Sequence, residues 1–150
     1  MSERRFSLDT SCMVAAVCTW HEHHAAAEAE INDRLARGER MITPAHALTE
    51  AYAVLTRLPL PYRLSPADAW TALEASFVKP ATLIALKATV YKSLLRRLAQ
   101  QDIAGGRTYD VVIGECARTA RAETLLTLNP RHFDPAPEGV LLVDPSLQSG

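Results

Sequence analysis

At 150 residues the chain fits one domain, 1–150, and is long enough to bury a core without disulfide or metal staples. It is 48% hydrophobic and 22% charged with a formal net charge of -1, so no bulk electrostatic pull toward nucleic acid or membrane exists and an anionic partner must be met locally. No run reaches the roughly 18 apolar residues that span a bilayer, and Cys12, Cys18 and Cys116, odd in number and in apolar surroundings, read as buried thiols of a cytoplasmic protein.

RRFSL, ahead of Asp9, is a strand candidate. The SERRFSL start faintly resembles a twin-arginine signal, but Asp9 interrupts the apolar run behind it. SCMVAAVCTW is apolar nearly all round, as a helix covered on every side is. WHEHHAAAE, residues 20 to 28, then offers histidine and glutamate as zinc-type ligands. Only His21 and His24 have helical i, i+3 spacing, and only in an unbroken helix; the better reading makes the histidines a turn and begins a second helix near His24. That helix runs over 24–37, with Ala27, Ile31 and Leu35 on one face and Gly38 as its terminator.

RMIT is a short strand, and Thr43-Pro44 predicts an N-cap and first turn for a helix to about Arg57. Ser65-Pro66, with Asp68 three residues after the serine, opens another helix to about Phe77. ATLIAL is a strand, a helix runs through LLRRLAQQ, Gly105-Gly106 makes a turn, and a helix covers 108 to about 121. TLLTL is a strand, NPRHFDPAP a loop and GVLLV the last strand. Strands alternating with helices predict an α/β domain, three layers in α/β/α order around a parallel sheet of about five strands, with ligands at the carboxyl ends of the strands.

Three carboxylates stand where carboxylates are expensive. Asp9 follows the first strand directly; Glu50 lines up with Ala47, Ala51, Val54 and Leu58; Asp110 lines up with Ile113, Gly114 and Ala117. Singly, Asp9 reads equally well as a helix cap and Asp110 as a first-turn acid favoured by the helix dipole. Together, three acids from three separated segments converge into an oxygen cluster that suits magnesium or manganese, since a buried carboxylate needs a cation or a metal.

The ordered set of an apolar strand into DTS, then TPAHALTEAYAVLTR, GGRTYDVVIGECA, LLTLNPRHF and GVLLVDP resembles the PIN domain, in particular the VapC-type toxin ribonucleases, over almost the whole chain. The resemblance implies a PIN-like fold and places the family's acidic residues on Asp9, Glu50 and Asp110. It implies RNA hydrolysis with Mg2+ or Mn2+ held by those three, giving a 5'-phosphate and a 3'-hydroxyl. At the family's fourth acidic position this chain has Asn129, whose carbonyl oxygen can coordinate a hard cation but brings no charge, which weakens metal affinity. Asp134 is a remoter substitute. Thr10 and Ser11 either donate hydrogen bonds to carboxylates and phosphate oxygens or cap the helix, and Arg107 is either a phosphate contact or a solvated turn arginine. Arginine makes up 13 of the 16 basic residues, a bias that suits phosphate and that genome composition also produces.

The resemblance further implies a VapB-like antitoxin that plugs the acidic pocket, and a homodimer. Trp20, Tyr52, Trp70 and Phe77 are candidates to line an apolar groove for that partner, or are core aromatics. Two other readings compete. A haloacid-dehalogenase-like phosphohydrolase would use Asp9 as nucleophile, but wants a second aspartate where this chain has Ser11. A PIN-fold module with weak or no catalysis would act through a protein or nucleic-acid partner alone.

Overall fold

The computed structural model describes residues 3–147. Strand β1 (Arg5–Leu8) runs into helix α1 (Thr10–Val17), followed by α2 (His24–Ala36), β2 (Arg40–Pro44), α3 (Ala45–Thr56) and α4 (Pro66–Leu73). A π-helical turn, Glu74–Val78, extends α4, and β3 (Ala81–Ile84), α5 (Ala88–Gln100), α6 (Arg107–Thr119), β4 (Thr124–Leu126) and β5 (Leu141–Val143) complete the chain's main elements. All strand pairs are parallel, in the order β3-β2-β1-β4-β5. The α/β class with five parallel strands is therefore as the sequence predicts.

Connections leave β1 and β4 toward opposite sides of the sheet, so the crevice between their carboxyl ends is the switch point where ligands of such sheets bind. Because α1 and α3 follow strands directly and α6 runs back toward the start of β4, the N-termini of all three helices open at that same end. Two apolar clusters hold the frame. The larger joins Phe6, Leu8, Met13, Met41, Leu55, Leu73, Ile113 and Leu125; the smaller seals α5 against α6 through Leu94, Leu98, Val112 and Cys116. Full burial of a Leu or Phe is worth about 1.5–3 kcal/mol, so these side chains dominate the stability of the scaffold. Among the described residues no helix is long and apolar enough to cross a membrane.

Several boundaries differ from the sequence reading. The first helix ends at Val17, where Cys18 turns extended, rather than at Trp20. Thr43 is not an N-cap: β2 stays paired to β3 through Thr43 and Pro44, and the buried Thr43 hydroxyl has no hydrogen-bond partner. Strand pairing wins over the local capping signal there. Ser65 does cap α4, accepting from the Asp68 amide at 3.1 Å, and Gly38 follows α2 at φ +86°, a left-handed value that disfavours other residues. Phe77, offered above as a groove residue, is only 1% exposed and belongs to the core; Trp20, Tyr52 and Trp70 are exposed.

Candidate active site

β1 ends at Leu8 in register with Leu126 of β4, so the next residues, Asp9 and Thr127, face each other across the switch point. Asp9 is the N-cap of α1 and is almost fully buried. Its Oδ1 accepts from the Ser11 hydroxyl at 2.6 Å and the Cys12 amide at 3.1 Å, and its Oδ2 accepts from the Thr127 hydroxyl at 2.6 Å. Each hydroxyl is itself an acceptor: Ser11 Oγ takes the Leu128 amide at 3.0 Å and Thr127 Oγ1 takes the Asn129 amide at 2.9 Å. With the amides committed to the oxygens, the hydroxyl protons point at Asp9. Burial pushes the Asp9 carboxyl up from the usual aspartate range, and these donors pull against that by favouring the ionised form.

Glu50, on the second turn of α3, and Asp110, in the first turn of α6, complete a cleft of about 500 Å³ that Asp9, Thr10, Ser11 and Asn129 also line. Thr10 Oγ1 lies 3.4 Å from Glu50 Oε1. His46, one turn before Glu50, brings Nε2 to 3.1 Å from Oε1 without the alignment of a hydrogen bond, and its ring stacks on Tyr109 at 5.0 Å. Asp110 lies 3.8 Å from His132 Nδ1. Its carboxyl is pushed up to about 6, first by burial and then by the charges of Asp9 and Glu50, against the pull of His132 and Arg107. Three carboxylates within each other's field, none in a salt bridge with a lysine or arginine among the described residues, form a donor set that suits a hard divalent ion. Among the described residues no three His, Cys, Asp or Glu side chains stand close enough to hold a metal as placed, so chelation requires the side chains to draw together.

Of the residues singled out from sequence, Asp9, Thr10, Ser11, Glu50, Asp110 and Asn129 meet in this one cleft. Arg107 does not line it. Its guanidinium donates to the Asp134 carbonyl, and both residues line a neighbouring cavity of about 300 Å³ that shares Asp110 and His132 with the cleft. Asp134 therefore does not replace the missing fourth acid. The histidine-rich turn is split: His24 Nδ1 binds the Ala15 carbonyl at 2.9 Å and docks α2 on α1, whereas His21, Glu22 and His23 line the acidic cleft. Sequence reading missed Thr127, His46, Tyr109 and His132. His46 alone left a signal, its i, i+4 spacing from Glu50.

Residues 7–137 match the PIN domain family. The chain is 42% identical over 117 residues to Ribonuclease VapC40 of Mycobacterium tuberculosis, covering 78% of this chain and 81% of that one. It is 38% identical over 128 residues to Ribonuclease VapC27 of Mycobacterium tuberculosis, covering 85% of this chain and 87% of that one. The fold is also that of VapBC2 from Rickettsia felis, solved bound to a DNA fragment from its promoter: the TM-score is 0.65 at 20% identity, over 93% of this chain and 98% of that one.

Proposed function

This chain belongs to the PIN domain family, and we propose that it is a VapC-type endoribonuclease that hydrolyses RNA phosphodiester bonds with Mg2+ or Mn2+ held by Asp9, Glu50 and Asp110. The observation that carries the reading is the convergence of those three carboxylates, from the end of β1, α3 and α6, on one cleft at the switch point of the sheet. The relatives named as ribonucleases, matched over most of their length, support the reaction class.

When bound, a divalent ion supplies water activation and positive charge for the attacked phosphate. The protein's own groups do the rest. Ser11 and Thr127 favour the ionised form of Asp9 and aim it, and Thr10 and His46 steady Glu50. Asn129 lines the same cleft with an uncharged amide. His132, next to Asp110, is placed to donate to a phosphate oxygen or leaving group at the cleft mouth. A VapB-like antitoxin is the proposed protein partner, in line with the VapBC2 structure of the same fold, and a homodimer the proposed assembly, in a reducing cytoplasm where Cys12, Cys18 and Cys116 stay free.

Asp9→Asn and Asp110→Asn, purified and checked by circular dichroism, are expected to lose Mg2+-dependent RNA cleavage while keeping the fold. Cleavage by both at the wild-type rate would show that the cluster is not the site. The open spacing of the acids is what a catalytically attenuated binding module would share. Mn2+ titration separates the two: saturable binding lost in Asp9→Asn supports the nuclease, and no binding together with no cleavage supports the module.

A further inference from the structure

Three rings of the turn between α1 and α2, His23, His21 and Trp20, form a row with Tyr62 of the segment between α3 and α4. His23 and His21 line the acidic cleft with ring centroids 5.7 Å apart. His21 stands 6.0 Å from Trp20, and Trp20 packs on Tyr62 at 4.5 Å. Trp20 is 48% exposed and Tyr62 47%, so both keep wide ring surface open to solvent. A core role does not account for two rings held against each other in water at the end of a row that starts inside the cleft.

Unpaired nucleic acid is bound in this way. Every base has a π-face, so exposed rings beside a backbone-binding groove hold successive bases with little regard to sequence. Imidazoles and the Glu22 carboxylate lie between the indole and the acids, which breaks up the surface that a protein interface would want continuous and apolar at its centre. We propose that Trp20 and Tyr62 form a stacking platform for an unpaired nucleotide flanking the scissile phosphate of single-stranded RNA, with His21 and His23 bridging platform and cleft. The inference rests on the ribonuclease reading above.

The test is steady-state cleavage of an unstructured RNA oligonucleotide by wild type, Trp20→Ala, Tyr62→Ala and Trp20→Phe, with abasic sites placed in turn at each flanking position. Trp20→Ala is expected to raise KM about 5- to 150-fold, the worth of one base stacked on an aromatic ring, with kcat nearly unchanged. Trp20→Phe restores most of it. One abasic position should reproduce the loss in wild type and add nothing in Trp20→Ala. KM within twofold of wild type in both alanine variants overturns the platform, as does a loss of partner-protein binding without any change in KM, which assigns the rings to that partner. Fluorescence separates this failure from failure of the ribonuclease reading. In a Trp70→Phe background Trp20 is the only indole, and the same oligonucleotide should quench it whether or not it is cleaved; absence of quenching overturns the platform.

Discussion

Thr127→Val is the substitution that examines how Asp9 is held. The side chain is fully buried and close in shape to valine, so the change removes one hydroxyl and little else. Two bonds go with it: the 2.6 Å donation to Asp9 Oδ2 and the 2.9 Å acceptance from the Asn129 amide. A hydrogen bond to a charged group is worth about 1.5–3 kcal/mol, and the half-buried Asn129 amide can turn partly to water, so the total is about 2–4 kcal/mol. For a domain of this size that corresponds to a fall in Tm of about 4–16 °C. The loss depends on pH. Removing a donor raises the folded pKa of Asp9 further, so the variant's deficit is full above both folded values and fades as pH falls through them. Thermal melts of both proteins between pH 8 and pH 4 measure the deficit, and cleavage assays should show lower kcat in the variant because Asp9 is no longer aimed. A deficit that does not grow as pH rises across the range would refute the view that Thr127 favours an ionised Asp9.

Asp110 sets a second pH dependence. A folded pKa of about 6 lies above the ordinary aspartate value, so its contribution to metal-free stability is present at low pH and is lost as pH rises through about 6. The difference in Tm between wild type and Asp110→Asn, measured in chelator, should therefore move against wild type between pH 5 and pH 7, and parallel curves would contradict this. Asn129→Asp adds a fourth charge to the cleft: the Mn2+ concentration for half-saturation should drop about tenfold or more, a gain of ~1.4 kcal/mol, while melts in chelator show lower stability from repulsion. Unchanged Mn2+ affinity would place Asn129 outside the coordination sphere.

The acids were legible because each broke a pattern that the fold then kept. Helical spacing put the half-buried Glu50 in line with Ala47 and Ala51, and the half-buried Asp110 with Ile113, Gly114 and Ala117, and those five apolar neighbours are buried in the structure. Asp9 stood out by following a strand. Thr127 was hidden because its meaning depends on β1 and β4 being neighbours, a pairing between residues 118 positions apart. A threonine after a β-run looks like any other strand residue. The rule that ligands gather between strands flanking a switch point would have found it once the strand order was known. Thr43 misled for the opposite reason: Thr-Pro is a good local cap signal, but β2 keeps pairing with β3 through that point. No glycine or proline marks the end of α1, which is fixed instead by the docking of His24 on the Ala15 carbonyl. The conspicuous histidine cluster was thereby divided between a structural contact and the cleft wall.

The direction of the strands explains why acids can gather here at all, and why they remain uneasy. Parallel βα units bring the N-termini of α1, α3 and α6 to one end of the sheet, and the partial positive charge there favours carboxylates by about 0.3–1 kcal/mol each at exposed sites. That is too little to neutralise three of them. Asp110 shows the strain: burial first, and then the charges of Asp9 and Glu50, push its carboxyl up to about 6 even with His132 beside it. A phosphodiester approaching the metal-free cleft therefore meets negative charge that Arg107 offsets only from a distance, because its guanidinium is turned to the Asp134 carbonyl in the adjoining cavity. On the proposed reading the attractive surface for RNA begins outside the acids, on aromatic rings, along the row from His23 to Tyr62. On the same reading, charge in the cleft selects the cation and the ring-lined rim selects the nucleic acid, so substitutions in the two should act separately on metal affinity and on KM.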